Sequence, residues 1–151
     1  MPQTAVGFIG LGLMGAGFTK RLVATGHRVI GFDVVQDKVE EARAWGIESA
    51  ASPADVVAQC DIALTCLTTT KNLEDVVEGA GGMISAGDLK GKVLVDHSTV
   101  DIDKVKRLAS VLADKGMAFV DAPVSGGPGA AETGTLAIMA GGGSEAIAKV
   151  A

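Results

Sequence analysis

Ten residues near the start of the chain, Val6 to Gly15 (VGFIGLGLMG), do most to narrow what it can become. A short apolar run breaks into Gly10, Gly12 and Gly15, spaced Gly-x-Gly-x-x-Gly, and then turns helical. The spacing predicts a strand, a tight turn and the start of a helix. Each glycine has a separate job in such a turn: Gly10 permits it, Gly12 leaves main chain open to a pyrophosphate, and Gly15 lets helix and strand approach. Across Gly10, Leu11, Gly12, Leu13, Met14 and Gly15, unpaired N–H groups and the positive end of a helix dipole make an anion site out of backbone. With 21 glycines in 151 residues, the spacing alone arises readily by chance. Context supports it: a strand-like run precedes, a helical pattern follows, and Asp33 closes the next strand-like run about 20 residues on. Asp33 is placed to accept both hydroxyls of an adenosine ribose. Its charge opposes a 2′-phosphate of roughly −1.5 to −2, which favours NAD over NADP. The plainer alternative for Asp33 is a solvated strand end or the cap of the next helix.

The rest of the chain repeats strand then helix. Strands are expected at 28–33, 47–49, 61–67, 92–96 and 118–121, with helices over 13–25, 36–45, from Ser52–Pro53, over 72–79 and from Asp101 to about Lys115. The apolar run at 61–67 predicts burial on both faces. A glycine-rich loop over 125–129, a strand over 135–140 and a helix from Ser144 with Ile147 and Val150 inward complete the pattern. This alternation implies an α/β fold of Rossmann type: a doubly wound, mostly parallel sheet with helices on both faces. The loops after strands one, two, four, five and six should then line one crevice. The last helical pattern breaks off after two turns. The chain therefore reads as one domain, 1–151, of a longer protein.

Composition excludes several classes. The chain is 48% hydrophobic but 3% aromatic, with a net charge of −5. It lacks both the basic face and the stacking platforms that nucleic acid requires. Cys60 and Cys66 flank a buried-strand pattern and read as free thiols, which favours a reducing, cytoplasmic setting. With His27 and His97 scattered elsewhere, no metal-ligand spacing arises. The apolar stretch Ala5 to Phe18 is too short and interrupted to span a bilayer.

Three stretches together, Gly7-Phe8-Ile9-Gly10-Leu11-Gly12-Leu13-Met14-Gly15, Asp96-His97-Ser98-Thr99 and Asp121-Ala122-Pro123-Val124-Ser125-Gly126-Gly127 with Gly134-Thr135-Leu136 following, resemble the signatures of the β-hydroxyacid dehydrogenases. That family is of the 3-hydroxyisobutyrate dehydrogenase and tartronate semialdehyde reductase type and is related to 6-phosphogluconate dehydrogenase. The resemblance covers essentially the whole chain, and its third stretch is more specific than the glycine turn. It implies an NAD-dependent oxidoreductase acting on a small hydroxy acid. Leu67, Thr68 and Asn72 match positions near the nicotinamide-side ribose and phosphate, where a loop amide and an Asn side chain would serve. Thr99 matches a position beside the nicotinamide, and Ser125, Gly126 and Gly127 match the substrate-binding loop, where N–H groups can hold a carboxylate. The family's general acid/base is a lysine on a helix beyond Ala151, so the resemblance implies no catalytic residue in this chain and an all-helical second domain outside it.

Departures from the family pattern are Phe18 for Met, Thr68 for Pro, His97 for Ser and Ile102 for Pro. Of these only His97 bears on chemistry, and a lone strand-end histidine is more often a hydrogen-bonded structural group. Two further readings compete: a non-catalytic dinucleotide-binding reader or interaction module, and an S-adenosylmethionine or flavin domain. The latter leaves the Asp-Ala-Pro-Val-Ser-Gly-Gly loop without a purpose. A face shaped for a missing domain also predicts some self-association as a homo-oligomer.

Overall fold

The structure, a computed structural model, describes residues 5–151. Strand and helix alternate as β1 (Ala5–Ile9), α1 (Leu13–Ala24), β2 (Arg28–Phe32), α2 (Gln36–Arg43), β3 (Glu48–Ser49), α3 (Pro53–Ala58), β4 (Ile62–Thr65) and α4 (Thr70–Glu78). After a 3₁₀ turn at Met83–Ser85 come β5 (Val93–Asp96), α5 (Ile102–Asp114), β6 (Ala118–Asp121), β7 (Val124–Ser125), α6 (Gly127–Thr133), β8 (Ala137–Ile138) and α7 (Ser144–Val150). Side-chain caps start the helices where the sequence places them. Ser52 Oγ accepts the Asp55 N–H at 3.1 Å ahead of α3, and Asp101 Oδ1 accepts the Lys104 N–H at 3.0 Å ahead of α5.

Six strands form one parallel sheet in the order β3-β2-β1-β4-β5-β6. The order reverses between β1 and β4, and a crevice opens beyond the carboxyl ends at such a point. Register levels those ends: Ile9 lies beside Phe32 and Thr65, and Asp96 beside Thr65 and Asp121. Alternation along β1 divides the core. Ile9 joins Ala63, Leu94, Val56, Leu73, Val77 and Leu108 beneath α3, α4 and α5. Phe8 joins Leu11, Phe18, Val39 and Ala131 beneath α1, α2 and α6.

Two expectations change in detail. The loop expected over 125–129 is mostly helix: α6 begins at Gly127 and ends at Gly134, which takes the left-handed conformation (φ 73°, ψ 30°). Such a glycine-rich helix has little intrinsic propensity and relies on a partner. Gly17 of α1 supplies one, since a Cβ there would meet the Pro128 carbonyl oxygen at 2.7 Å and Ala131 Cβ at 2.9 Å. The strand expected over 135–140 shrinks to β8, paired antiparallel with β7. In β4, Ala63 and Thr65 are buried, but Ile62 and Leu64 are only half covered. Their face meets α7 through Ala146, Ile147 and Val150.

Candidate functional site

The glycine turn lies at the reversal of strand order. Gly10 has φ 99°, and a side chain there would run into the Cys66 carbonyl oxygen, so β1 passes too close to the end of β4 for any other residue. A Cβ on Gly15 would land on the Gly10 carbonyl oxygen, so α1 rests on the turn itself. At Gly12 an added Cβ meets nothing within 4 Å. The three glycines thus divide into two that the fold needs and one that keeps a space open.

Helix α1 begins at that space without a side-chain cap and with no acidic residue in its first turn. The first intrahelical bond is Ala16 N–H to the Gly12 carbonyl at 2.8 Å. Helix geometry therefore leaves the N–H groups of Gly12, Leu13, Met14 and Gly15 without intrahelical acceptors. The Leu11 N–H is engaged, donating to Asp33 Oδ2 at 2.7 Å, while Asp33 Oδ1 accepts the Val35 N–H at 2.8 Å. Asp33 thus faces the turn. The cradle and its neighbouring carboxylate fit a dinucleotide: the donors are free, no side chain fills the space, and no acid of the helix competes for it.

A cleft of about 410 Å³ opens here, lined by Gly10, Gly12, Asp33, Leu67, Thr68 and Asn72 among the residues expected from sequence. Its remaining wall is largely one the sequence reading missed. Val34 and Val35 follow Asp33, and Pro53, Asp75, Val76, Gly79 and Ala80 complete this part of the lining. The sequence carried no signal that sets these valines apart from core; in the structure Val34 is 85% exposed.

The loop after β4 is positioned by a buried network. Asp96 Oδ1 accepts from Thr65 Oγ1 at 2.7 Å and from Ser98 Oγ at 2.7 Å, and Ser98 Oγ accepts the Leu67 N–H at 2.8 Å. The Leu67 amide is thereby spent internally, and this residue meets the cleft with its other atoms. Asn72 Nδ2 donates to Thr68 Oγ1 at 2.9 Å, holding both polar side chains at the rim. Cys66 also lines the cleft, and burial, then the nearby Asp96, pushes its thiol up to about 11.

Loops after β5 and β6 do not reach the cleft wall. Thr99 is exposed beyond Ser98, Ser125 ends β7, and Gly126 and Gly127 (φ 137° and 76°) open α6. Leu13, Met14 and Gly15 likewise lie behind the cleft lip on α1. His97 is 7% exposed and lies at 2.8 Å, through Nδ1, from the Ala122 carbonyl oxygen. A carbonyl only accepts, so Nδ1 carries the proton. The ring stacks on Phe18 at 4.7 Å and 21°, bringing two departures from the family pattern into contact. Burial pulls the His97 pKa below its ordinary value, against the opposing pull of the Ala122 bond and Asp96. Asp121 moves up, from burial first and Asp96 second. Among the described residues no cluster of His, Cys, Asp and Glu could hold a metal ion.

A model of the NAD-binding domain of 6-phosphogluconate dehydrogenase matches residues 5–151. Mitochondrial 3-hydroxyisobutyrate dehydrogenase of Rattus norvegicus is 43% identical over 140 residues, 93% of this chain and 42% of that protein. The chain thus spans less than half the length of that relative. The structure of Mycobacterium tuberculosis 3-hydroxyisobutyrate dehydrogenase with L-serine superposes with a TM-score of 0.89 at 31% identity, covering 99% of this chain and 50% of that one. Psf3 in complex with NADP+ and 2-OPP gives a TM-score of 0.89 at 25% identity, covering 96% and 51%.

Proposed function

This chain belongs to the family of NAD-binding domains of 6-phosphogluconate dehydrogenase, and on that premise we propose that it is the cofactor-binding part of an oxidoreductase acting on a small β-hydroxy acid. The single observation that carries the proposal is the uncapped start of α1, open at Gly12 and flanked by Asp33, at the reversal of strand order. NAD, when bound, supplies the site that accepts hydride from the hydroxyl carbon. The chain's own work is to hold and orient. The N–H groups of Gly12, Leu13, Met14 and Gly15 would take the pyrophosphate, and the lone pairs left on Asp33 the ribose diol. The wall of Val34, Val35, Pro53, Val76 and Ala80 would hold the adenine. Leu67, Thr68, Asn72 and Thr99 are assigned to the nicotinamide end, and Ser125, Gly126 and Gly127 to the substrate carboxylate. No lysine or arginine lines the cleft. On the family resemblance, the proton acceptor is assigned to a lysine that is not among these residues.

The same wall favours NAD over NADP. Its charged residues are Asp33 and Asp75, with no cation to receive a 2′-phosphate. Calorimetry on this chain should show NAD binding at least tenfold tighter than NADP, whereas equal or tighter NADP binding would remove Asp33 from its role. Two cysteines without a disulfide suit a reducing compartment, which we take to be the cytoplasm. Cell fractionation decides between that and the mitochondrial location in the rat relative's name. No helix among the described residues is long and apolar enough to cross a membrane. Self-association of this chain is tested by sedimentation.

A further inference from the structure

The ribose is not the first group that Asp33 serves. Its two oxygens already accept from main chain, Oδ2 from Leu11 at 2.7 Å and Oδ1 from Val35 at 2.8 Å. A carboxylate offers roughly four acceptor positions, so about two remain for an outside partner. Leu11 is the residue between the two glycines that the cradle depends on. The peptide joining Gly10 to Leu11 is held from both sides, its carbonyl oxygen against Gly15 and its N–H on Asp33. Beyond Leu11, the next main-chain bond formed within the chain is that of Ala16 N–H. The donors aimed at an anion lie between those two bonds, and nothing packs against the Gly12 Cα on its open side.

We propose that Asp33 is a positioning residue for the phosphate-binding turn as well as a ribose acceptor, so that one carboxylate sets both the pyrophosphate grip and the choice of cofactor. The proposal rests on the dinucleotide reading above. It reverses the simplest electrostatic expectation. A carboxylate near a pyrophosphate repels it, so deleting the charge should tighten binding of any diphosphate that has no ribose hydroxyls. A fastener predicts the opposite. Deleting Asp33 frees the Leu11 N–H, lets the Gly10–Leu11 peptide turn, and disorganises the donors behind it. Conversion to NADP use by removing Asp33 should then weaken both cofactors. The Leu11 side chain is 2% exposed and packs over Gly31, so the turn keeps a second anchor and the loss is partial.

The test uses 2′,3′-dideoxy-ADP, which carries adenine and a pyrophosphate but no diol, alongside ADP. Calorimetry compares the unaltered chain with D33A and D33N, two variants of equal charge, of which only Asn keeps a carbonyl acceptor for the Leu11 N–H. Expected are about tenfold weaker dideoxy-ADP binding in D33A and an intermediate value in D33N, since a bond to a charged acceptor is being lost. Amide exchange at Leu11 in the ligand-free chain should quicken at least tenfold in D33A, a readout independent of any ligand. Unchanged or tighter dideoxy-ADP binding in D33A, or unchanged Leu11 exchange, overturns the proposal. If the unaltered chain binds neither ADP nor NAD, the dinucleotide reading itself fails, whatever the exchange result.

Discussion

Replacing Gly12 by alanine should separate the fold from the grip. The residue has φ −69° and ψ −161°, a conformation open to alanine, and its Cβ would meet nothing within 4 Å. As an N-cap, alanine ranks below glycine by roughly 0.5–1 kcal/mol. Reduced freedom of the unfolded chain returns about 0.4–1 kcal/mol. These nearly cancel, and the melting temperature should stay within about 2 °C. Binding responds differently, because the new methyl occupies the space beside the free N–H groups. Displacing an anion from two of those donors forfeits about 1.5–3 kcal/mol each, or at least a hundredfold in affinity for NAD. Gly15→Ala is the counterpart: its Cβ would land on the Gly10 carbonyl oxygen, so overpacking of about 1–3 kcal/mol should lower the melting temperature by several degrees as well. Scanning calorimetry and NAD titration of both variants check the pair. A Gly12→Ala variant that binds NAD within threefold of the unaltered chain would refute the reasoning.

Three other outcomes follow from the same geometry. Because the folded-state pKa of His97 lies below its ordinary value of 6.5, the unfolded chain binds more protons just under that pH. The contribution of His97 is thus complete above about pH 6.5 and is lost as pH falls below it. Denaturant midpoints between pH 7.5 and 5.5 should drop, and should drop less in His97→Gln. Ser98→Ala removes the acceptor of the Leu67 N–H and one donor to Asp96, costing about 2 kcal/mol and about 4–8 °C in melting temperature. With its thiol pushed up to about 11, Cys66 should resist iodoacetamide at pH 8, where only about one molecule in a thousand is thiolate. Mass spectrometry that finds it alkylated as fast as free cysteine would contradict the burial assigned to it.

Much of this was legible because local chemistry and tertiary structure agree. Gly10, Gly12 and Gly15 announce a turn, and Ser52–Pro53 and Asp101 announce helix starts that the caps then make. What stayed hidden depends on contacts between distant segments. Around Gly127 the helix formers Ala130, Ala131 and Glu132 and the start and stop at Pro128 and Gly134 are offset by Gly127 and Gly129; the missing ingredient is Gly17, more than 100 residues earlier, on which α6 rests. The Leu67 amide looked free because Ser98, its acceptor, comes 31 positions later. Polar groups after β5 are likewise spent on partners distant in sequence: Ser98 Oγ accepts the Leu67 N–H, and His97 Nδ1 donates to the Ala122 carbonyl. Residues over Val34, Val35 and Val76 escaped notice because apolar side chains at a wall look, in sequence, like ordinary core.

The contact at Gly17 makes two parts of the molecule mechanically one. Helix α1 presents its first turn to the cleft, and α6 descends from the Ser125–Gly126 corner; where they cross, Gly17 lies against the α6 backbone with only the Ala131 methyl beside it, which has no rotamers to act as a cushion. A tilt of α6 would therefore be passed to α1 as a rigid lever passes a push, without being absorbed by rotamer changes. A substitution as small as Gly17→Ala would prise the two apart and tip the first turn of α1, at a distance from every atom that a ligand touches.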